Sequence, residues 1–365
     1  MGRVAVEELV ENGTASEIII ADKSRERAEI LARNLSHSGA KVKASTIDVT
    51  DSRELSRLLR DCDLALGAIG PFYEFEEALA KASIESGTDY LSICDDFEAT
   101  LAVLSLDEMA KKNGVRIVTG LGMTPGITNI LAKYGYEKMD RVKSIDVSWS
   151  APAFGSVSKA VVRHTLHCFS GMVPTFSDGE STLVKAGKGR EKKVFPEPIG
   201  VSRVMHVGHP EPVTLPRYLS GLKEVTIKGG ITPHWMSNLV IMSARAHFFD
   251  SSKGMGIWMS LPSPMKLFKR IRKRKEIVLG IRVDIAGEKG GKETRYAFGC
   301  TETMIKATGL SLAIGAQMFL SNDTAIQPGV VTPEAVFDPT IFFEKLREKD
   351  ILIYEGEQMG EVLQL

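Results

Sequence analysis

The first third of the chain is a relay of short, mainly apolar runs, each ending in a polar or glycine-rich turn and followed by an amphipathic stretch. Residues 18–21, 42–47, 64–69, 90–93 and 115–119 read as strands. The stretches 25–35, 52–59, 74–86 and 104–113 between them carry apolar residues at helical spacing, such as Ala28, Leu31, Ala32 and Leu35. Strands without polar alternation are covered on both faces, and strand–helix–strand repetition builds a parallel sheet. Right-handed crossovers then predict a Rossmann-like, doubly wound α/β domain whose ligand lies at the strands' carboxyl ends.

Past residue 125 the pattern changes. Alternating strands are expected at 142–150, 202–207, 224–228 and 277–285. The last turns at Gly287-Glu288-Lys289-Gly290-Gly291 into a partner at 293–300, a hairpin signal. A mainly antiparallel α+β domain over 126–304 follows, for substrate binding and dimerisation. The first domain is expected to span 1–125 and to be completed by 305–365, with a long apolar helix at 302–320, another at 339–349 and a last strand at 351–354.

Composition removes several classes of partner. Lysine plus arginine (46) equals aspartate plus glutamate (46), so no net field draws the chain to nucleic acid. No apolar run reaches membrane-spanning length, and no targeting composition is visible. Cys62, Cys94, Cys168 and Cys300 are far apart and form no C-x-x-C, which predicts reduced packing residues in a cytoplasmic protein. One exception to the even charge is 266–275, with seven basic residues in ten behind Gly256-Ile257-Trp258-Met259. Such a run could touch anionic lipid, but a solvated face is the expected role, and membrane contact is not expected.

Candidate site residues follow from the strand ends. Gly2 opens a helix, with Arg3 beside it, and fits the third glycine of G-x-G-x-x-G. Asp22 ends a strand about 20 residues later, where a carboxylate accepts from the adenine-ribose hydroxyls. The preceding strand and glycines of that fingerprint are not in the sequence, so the helix reads as cut from its own strand. Asp22 favours NAD over NADP, although Lys23 and Arg25 could pair with a 2′-phosphate. Asp48 and Val49 are expected beside the adenine, and Ala68, Gly70 and Pro71 at the nicotinamide end, where glycine permits close backbone approach. Asp95 and Asp96 form an acid pair at a strand end, suited to carrying a proton, though one is expected to cap the next helix. Lys159, Arg163 and His167 recur at i, i+4, i+8 on one helix face and could hold carboxylates, with His164 or His167 transferring a proton. His164-x-x-His167-Cys168 lacks a supporting third ligand by spacing, so no metal is expected.

Several stretches together resemble the saccharopine dehydrogenase-like family, which includes saccharopine reductases, lysine 6-dehydrogenases and carboxynorspermidine dehydrogenases. They are Gly70-Pro71-Phe72-Tyr73, Tyr90-Leu91-Ser92-Ile93-Cys94-Asp95-Asp96 and Gly122-Met123-Thr124-Pro125-Gly126-Ile127-Thr128-Asn129. Pro210-Glu211-Pro212-Val213-Thr214-Leu215-Pro216-Arg217-Tyr218, Lys306-Ala307-Thr308-Gly309 and the ending from Pro328 to Leu346 complete the set. The resemblance implies oxidation of the C–N bond of an amino acid or secondary amine, or its reductive reverse, with NAD or NADP. It also implies a homodimer, Arg217 as a carboxylate clamp with Lys159 and Arg163 behind it, and Tyr73 and Asn129 as substrate contacts. The alternative is a catalytically weak relative acting as a metabolite-binding dimer.

Overall fold

The computed structural model describes residues 1–36, 40–152, 159–245, 278–321 and 326–365. The chain divides into two units, residues 1–130 with 305–349 and residues 131–304 with 350–365.

In the first unit the strands are β1 (Glu17–Asp22), β2 (Lys41–Thr46), β3 (Leu64–Gly67), β4 (Asp89–Ser92) and β5 (Arg116–Val118). β1 pairs with β2, and β3, β4 and β5 pair in that order, with Gly329–Val331 beyond β5; every pairing is parallel. Tyr90, Leu91, Ile117 and Val118 have at most 1% of their surface exposed, which explains the absence of polar alternation in their strands. Each such side chain contributes ~1.5–3 kcal/mol by leaving water. Helix starts are set locally: Ser24 accepts from the Arg27 N–H, and Asp51 from those of Arg53 and Glu54. β1 and β3 do not pair with each other. Between them lies a cavity of about 1120 Å³ lined by Ile18, Ile20, Leu64, Leu66 and Gly2, among others.

One helix expected at 104–113 is two, Phe97–Leu104 and Asp107–Asn113. Ser105 turns back to the Ala102 carbonyl through its hydroxyl, and Asp107 accepts from the Val330 N–H at 2.8 Å, so the second helix starts where it can hold Gly329–Val331. The helix Met304–Leu320 is buried along nearly its whole length. Gly309 lets it meet the helix Gly2–Glu11, because a Cβ there would stand 2.7 Å from Val4 Cβ.

The second unit holds β6 (Arg141–Pro152), β7 (Met172–Ser177), β8 (Glu180–Lys185), β9 (Glu191–Phe195), β10 (Gly200–His206), β11 (Glu224–Thr232), β12 (Leu279–Lys289) and β13 (Lys292–Glu302). β13, β12, β6, β11, β10 and β9 lie side by side, with β7 and β8 branching from β11. β6 and β11 run parallel; the other pairings are antiparallel. The β12–β13 hairpin closes more tightly than its five-residue signal, through Gly290 and Gly291, both at positive φ.

Two sequence expectations need correction here. Residues 350–365 belong to the second unit rather than completing the first, because Ile353–Glu355 adds to the sheet beside β13, with Ile353 opposite Cys300. The boundary also falls after Ile130, not after residue 125, inside the helix Ile127–Glu137. Among the described residues no helix is long and apolar enough to cross a membrane. The basic run at 266–275 and the segment 256–259 lie outside the described residues.

Candidate functional site

The strand ends of the first unit bring several predicted residues together. Asp22 Oδ1 accepts from the Ser24 N–H at 2.7 Å and from Arg27 Nη2 at 3.0 Å; Oδ2 takes neither bond. Lys23 does not stand ready for a 2′-phosphate, since its Nζ donates to Asp48 Oδ2 at 2.6 Å. That ammonium, helped by the Thr50 hydroxyl and N–H, lowers the Asp48 carboxyl to about 2. Arg25 likewise pairs with Glu29, and Arg3 with Glu7, each at 2.7 Å along its own helix. Arg27, which the sequence did not single out, is the cation beside Asp22. Gly2 and Ala68 approach so closely that a Cβ on Gly2 would lie 3.3 Å from Ala68 Cβ. Val49 packs against the core, and Pro71 precedes the helix Phe72–Ser86.

The acid pair divides by environment. Asp96 is 1% exposed and precedes the helix Phe97–Leu104, but its side chain makes no capping bond there. Instead its Oδ2 accepts from the Tyr73 N–H at 3.2 Å, in the first turn of Phe72–Ser86. Asp96 thus ties two helix starts together, and Tyr73 leaves 36% of its surface exposed. Asn129 is fully buried. Its Oδ1 accepts from the Gly126 N–H at 3.1 Å and its Nδ2 donates to Glu334 Oε2 at 2.9 Å. This turn needs glycine at 126, at φ +123°, because a Cβ would overlap Gly122. The amide predicted to touch substrate therefore braces the turn.

A carboxyl that the sequence did not flag lies beneath these strand ends. Glu76 is fully buried and accepts from Tyr90 Oη at 2.9 Å, from Ser92 Oγ and from Thr119 Oγ1. Burial pushes it up to about 7, although those hydrogen bonds act the other way.

In the second unit, Lys159, Arg163 and His167 follow one another along the helix Lys159–Cys168, and Arg217 is exposed in the last turn of Glu211–Tyr218. A separate cavity of about 330 Å³ carries the cations Arg190, Lys192 and Arg203 beside Glu191 and His234, residues not foreseen from the sequence. His164, on the same helix, lies with its Nε2 3.1 Å from Cys168 Sγ. His209 joins them from the loop before Glu211–Tyr218, its ring centroid 5.4 Å from that of His164. Burial raises the Cys168 thiol, but the charge and hydrogen bond of His164, with help from His209, bring it below its ordinary value. His209 is raised: burial opposes its charge, and Cys168 and Glu211 outweigh that. Cys168 is thus a buried thiol within hydrogen-bonding distance of an imidazole. All four cysteines are free thiols.

A parallel sheet with a helix opening at Gly2 and an acid ending β1, followed by a mixed-sheet second unit, is a Rossmann-like α/β architecture. Residues 1–118 match the family model of the saccharopine dehydrogenase NADP binding domain. The whole chain superposes on the apo saccharopine dehydrogenase (L-Glu forming) of Saccharomyces cerevisiae with a TM-score of 0.65, at 15% identity, covering 97% of both chains. It superposes on the homospermidine synthase of Legionella pneumophila, solved with NAD, with a TM-score of 0.54 at 14% identity, covering 95% of this chain and 84% of that one. A lipid droplet localized protein of Caenorhabditis elegans is 28% identical over 109 residues, 28% of this chain and 25% of its own length. Residues 1–118 thus resemble the nucleotide-binding domain of that family, and the chain shares the fold of saccharopine dehydrogenase.

Proposed function

We propose that the protein is an NAD(P)-dependent oxidoreductase acting on the C–N bond of an amino acid or secondary amine of the lysine or saccharopine kind. The observation that carries this reading is that Gly2, Ala68 and Asp22 line one cavity in the domain matched by the family model, with Gly2 close against Ala68. These residues fit a dinucleotide. The helix N-terminus at Gly2 suits a pyrophosphate, its lack of a side chain allows close approach, and Asp22 Oδ2 is placed to accept from a ribose hydroxyl. When bound, the nicotinamide supplies the hydride acceptor or donor. The chain's part is to hold the amine carbon against it, to keep that nitrogen unprotonated, and to bind carboxylates through cations such as Arg163 and Arg217.

Fluorescence titration with NAD and NADP, followed by absorbance of the reduced nicotinamide with lysine, saccharopine and ornithine, tests the reading. Micromolar binding and reduction with at least one amine are expected. Binding without turnover on any amine would overturn the reading for these substrates, and no binding of either dinucleotide would sink the oxidoreductase reading and favour the metabolite-binding alternative.

The preference for NAD rests on Asp22 and has its own test. Asp22→Asn removes the charge that repels a 2′-phosphate and releases Arg27 to pair with one. The NADP-to-NAD affinity ratio should rise about tenfold, equivalent to ~1.4 kcal/mol, within the range of one charge-assisted hydrogen bond. An unchanged ratio would remove Asp22 from the ribose site.

A further inference from the structure

Hydride transfer leaves unused the group formed by His164, Cys168 and His209 in the second unit. One ligand atom from each lies within 4.8 Å of the others. His164 and Cys168 stand four residues apart on one helix face, and His209 comes from the loop preceding the next helix. That loop is pinned to the helix end, because the Gly208 N–H donates to the Cys168 carbonyl at 2.8 Å. Cys168 is 1% exposed and His209 3%. The Trp149 ring centroid lies 5.9 Å from those of both His209 and Phe169, so the wall on that side is aromatic.

Glu211 supplies the second part of the argument. It is fully buried, and its Oε2 lies 3.6 Å from His209 Nδ1, a nitrogen with no hydrogen-bond partner. A carboxylate on the Nδ1 side of the ring favours a proton on that nitrogen electrostatically, which leaves the Nε2 lone pair to face forward, and a small approach would close the contact to a hydrogen bond. We propose that His164, Cys168 and His209 bind one zinc ion, with Glu211 orienting His209 from behind and a fourth coordination position outside this triad. A thiolate with two imidazoles is a borderline-soft set that suits zinc and not calcium or magnesium. With zinc–nitrogen bonds of ~2.0 Å and a zinc–sulfur bond of ~2.3 Å in a tetrahedral site, sulfur and nitrogen stand roughly 3.5 Å apart. The 3.1 Å contact of Cys168 with His164 therefore needs only a small opening to admit the ion. Charge also balances, since the thiolate and the Glu211 carboxylate together offset the dication. Spacing alone missed the site because the third ligand is distant in sequence and the nearer histidine, His167, is not part of it.

Metal analysis of the full chain after equilibration with zinc and dialysis should give about one zinc per chain. Cobalt replacement should add a thiolate-to-cobalt charge-transfer band. Cys168→Ser should abolish that band, and His209→Gln should remove stoichiometric zinc. Glu211→Gln, which leaves all three ligands in place, should weaken zinc binding by about 10- to 100-fold, and His167→Gln should leave zinc content unchanged. Circular dichroism establishes that each variant is folded. Wild-type protein that is folded but retains neither zinc nor cobalt would overturn the proposal. So would a cobalt spectrum that Cys168→Ser does not change.

Discussion

Glu76→Gln should gain stability relative to the wild type as pH rises, by about 3 kcal/mol in total. The carboxyl sits at about 7 in the folded protein against 4.5 for the ordinary group, and each unit of that difference is worth ~1.36 kcal/mol. Between those two values the folded protein keeps a proton that the unfolded chain releases. The wild type's contribution from Glu76 is therefore complete below about pH 4.5, falls as pH rises towards 7, and is flat above it. This is the reverse of the usual behaviour of a paired carboxylate, because burial outweighs the hydrogen bonds from Ser92, Tyr90 and Thr119. Glutamine keeps the shape and can still bond these hydroxyls, but it has no proton to lose. Chemical denaturation of both proteins at pH 5 and pH 8 gives the comparison, in which all other titrating groups cancel. A difference between the two proteins that does not change with pH would show that Glu76 is ionised in the fold.

The extent to which the fold could be read from the sequence follows burial on the two faces of each strand. β4 and β5 announce themselves because Tyr90, Leu91, Ile117 and Val118 are buried on both faces, so their apolar residues follow one another without polar alternation. β8, Glu-Ser-Thr-Leu-Val-Lys, is exposed at five of its six positions and β9 begins with three charged residues, so neither shows a period. The final strand looked like the end of the first unit only because it follows the helix Pro339–Glu348; its partner β13 is set by tertiary pairing. At the site, Asp22 and Asp96 were recognisable as acids at strand ends, where parallel sheets place ligands. The direction of Asp96 towards Tyr73 was not, since that bond joins residues 23 apart in sequence. Glu76 and His209 carry no local signature at all, and Glu211 stands in a family-like stretch with no role attached. Glu76 lies on a helix and finds its hydroxyl partners on β4 and just after β5, which only the assembled sheet brings over it.

Arg282→Met should destabilise the second unit by about 3–5 kcal/mol, the cost of removing one partner from a buried ionic group. Arg282 is 3% exposed on β12. Its Nε and Nη2 both donate to the Asp284 carboxylate, its Nη1 to the carbonyls of Val194 and Glu357 at 2.9 Å, and its Nη2 to Glu357 Oε2 at 2.8 Å. The guanidinium thereby fastens the 350–365 segment and β9 onto β12, which is why the C-terminal residues belong to this unit. Asp284 would retain only Lys193, at 2.8 Å, and that ammonium is already shared with Asp146 at 2.6 Å. Methionine fills much of the volume with no donor, so two carbonyls and most of the Asp284 charge lose their partners. Arg282→Lys keeps the charge but not the planar fork and should recover only part of the loss. The double variant Arg282→Met with Asp284→Leu removes both ions together and should be more stable than Arg282→Met alone. Urea denaturation of the three variants reads these differences. If Arg282→Met cost less than about 1 kcal/mol, a value typical of exposed pairs, the guanidinium would not be the clasp between the C-terminal segment and the sheet.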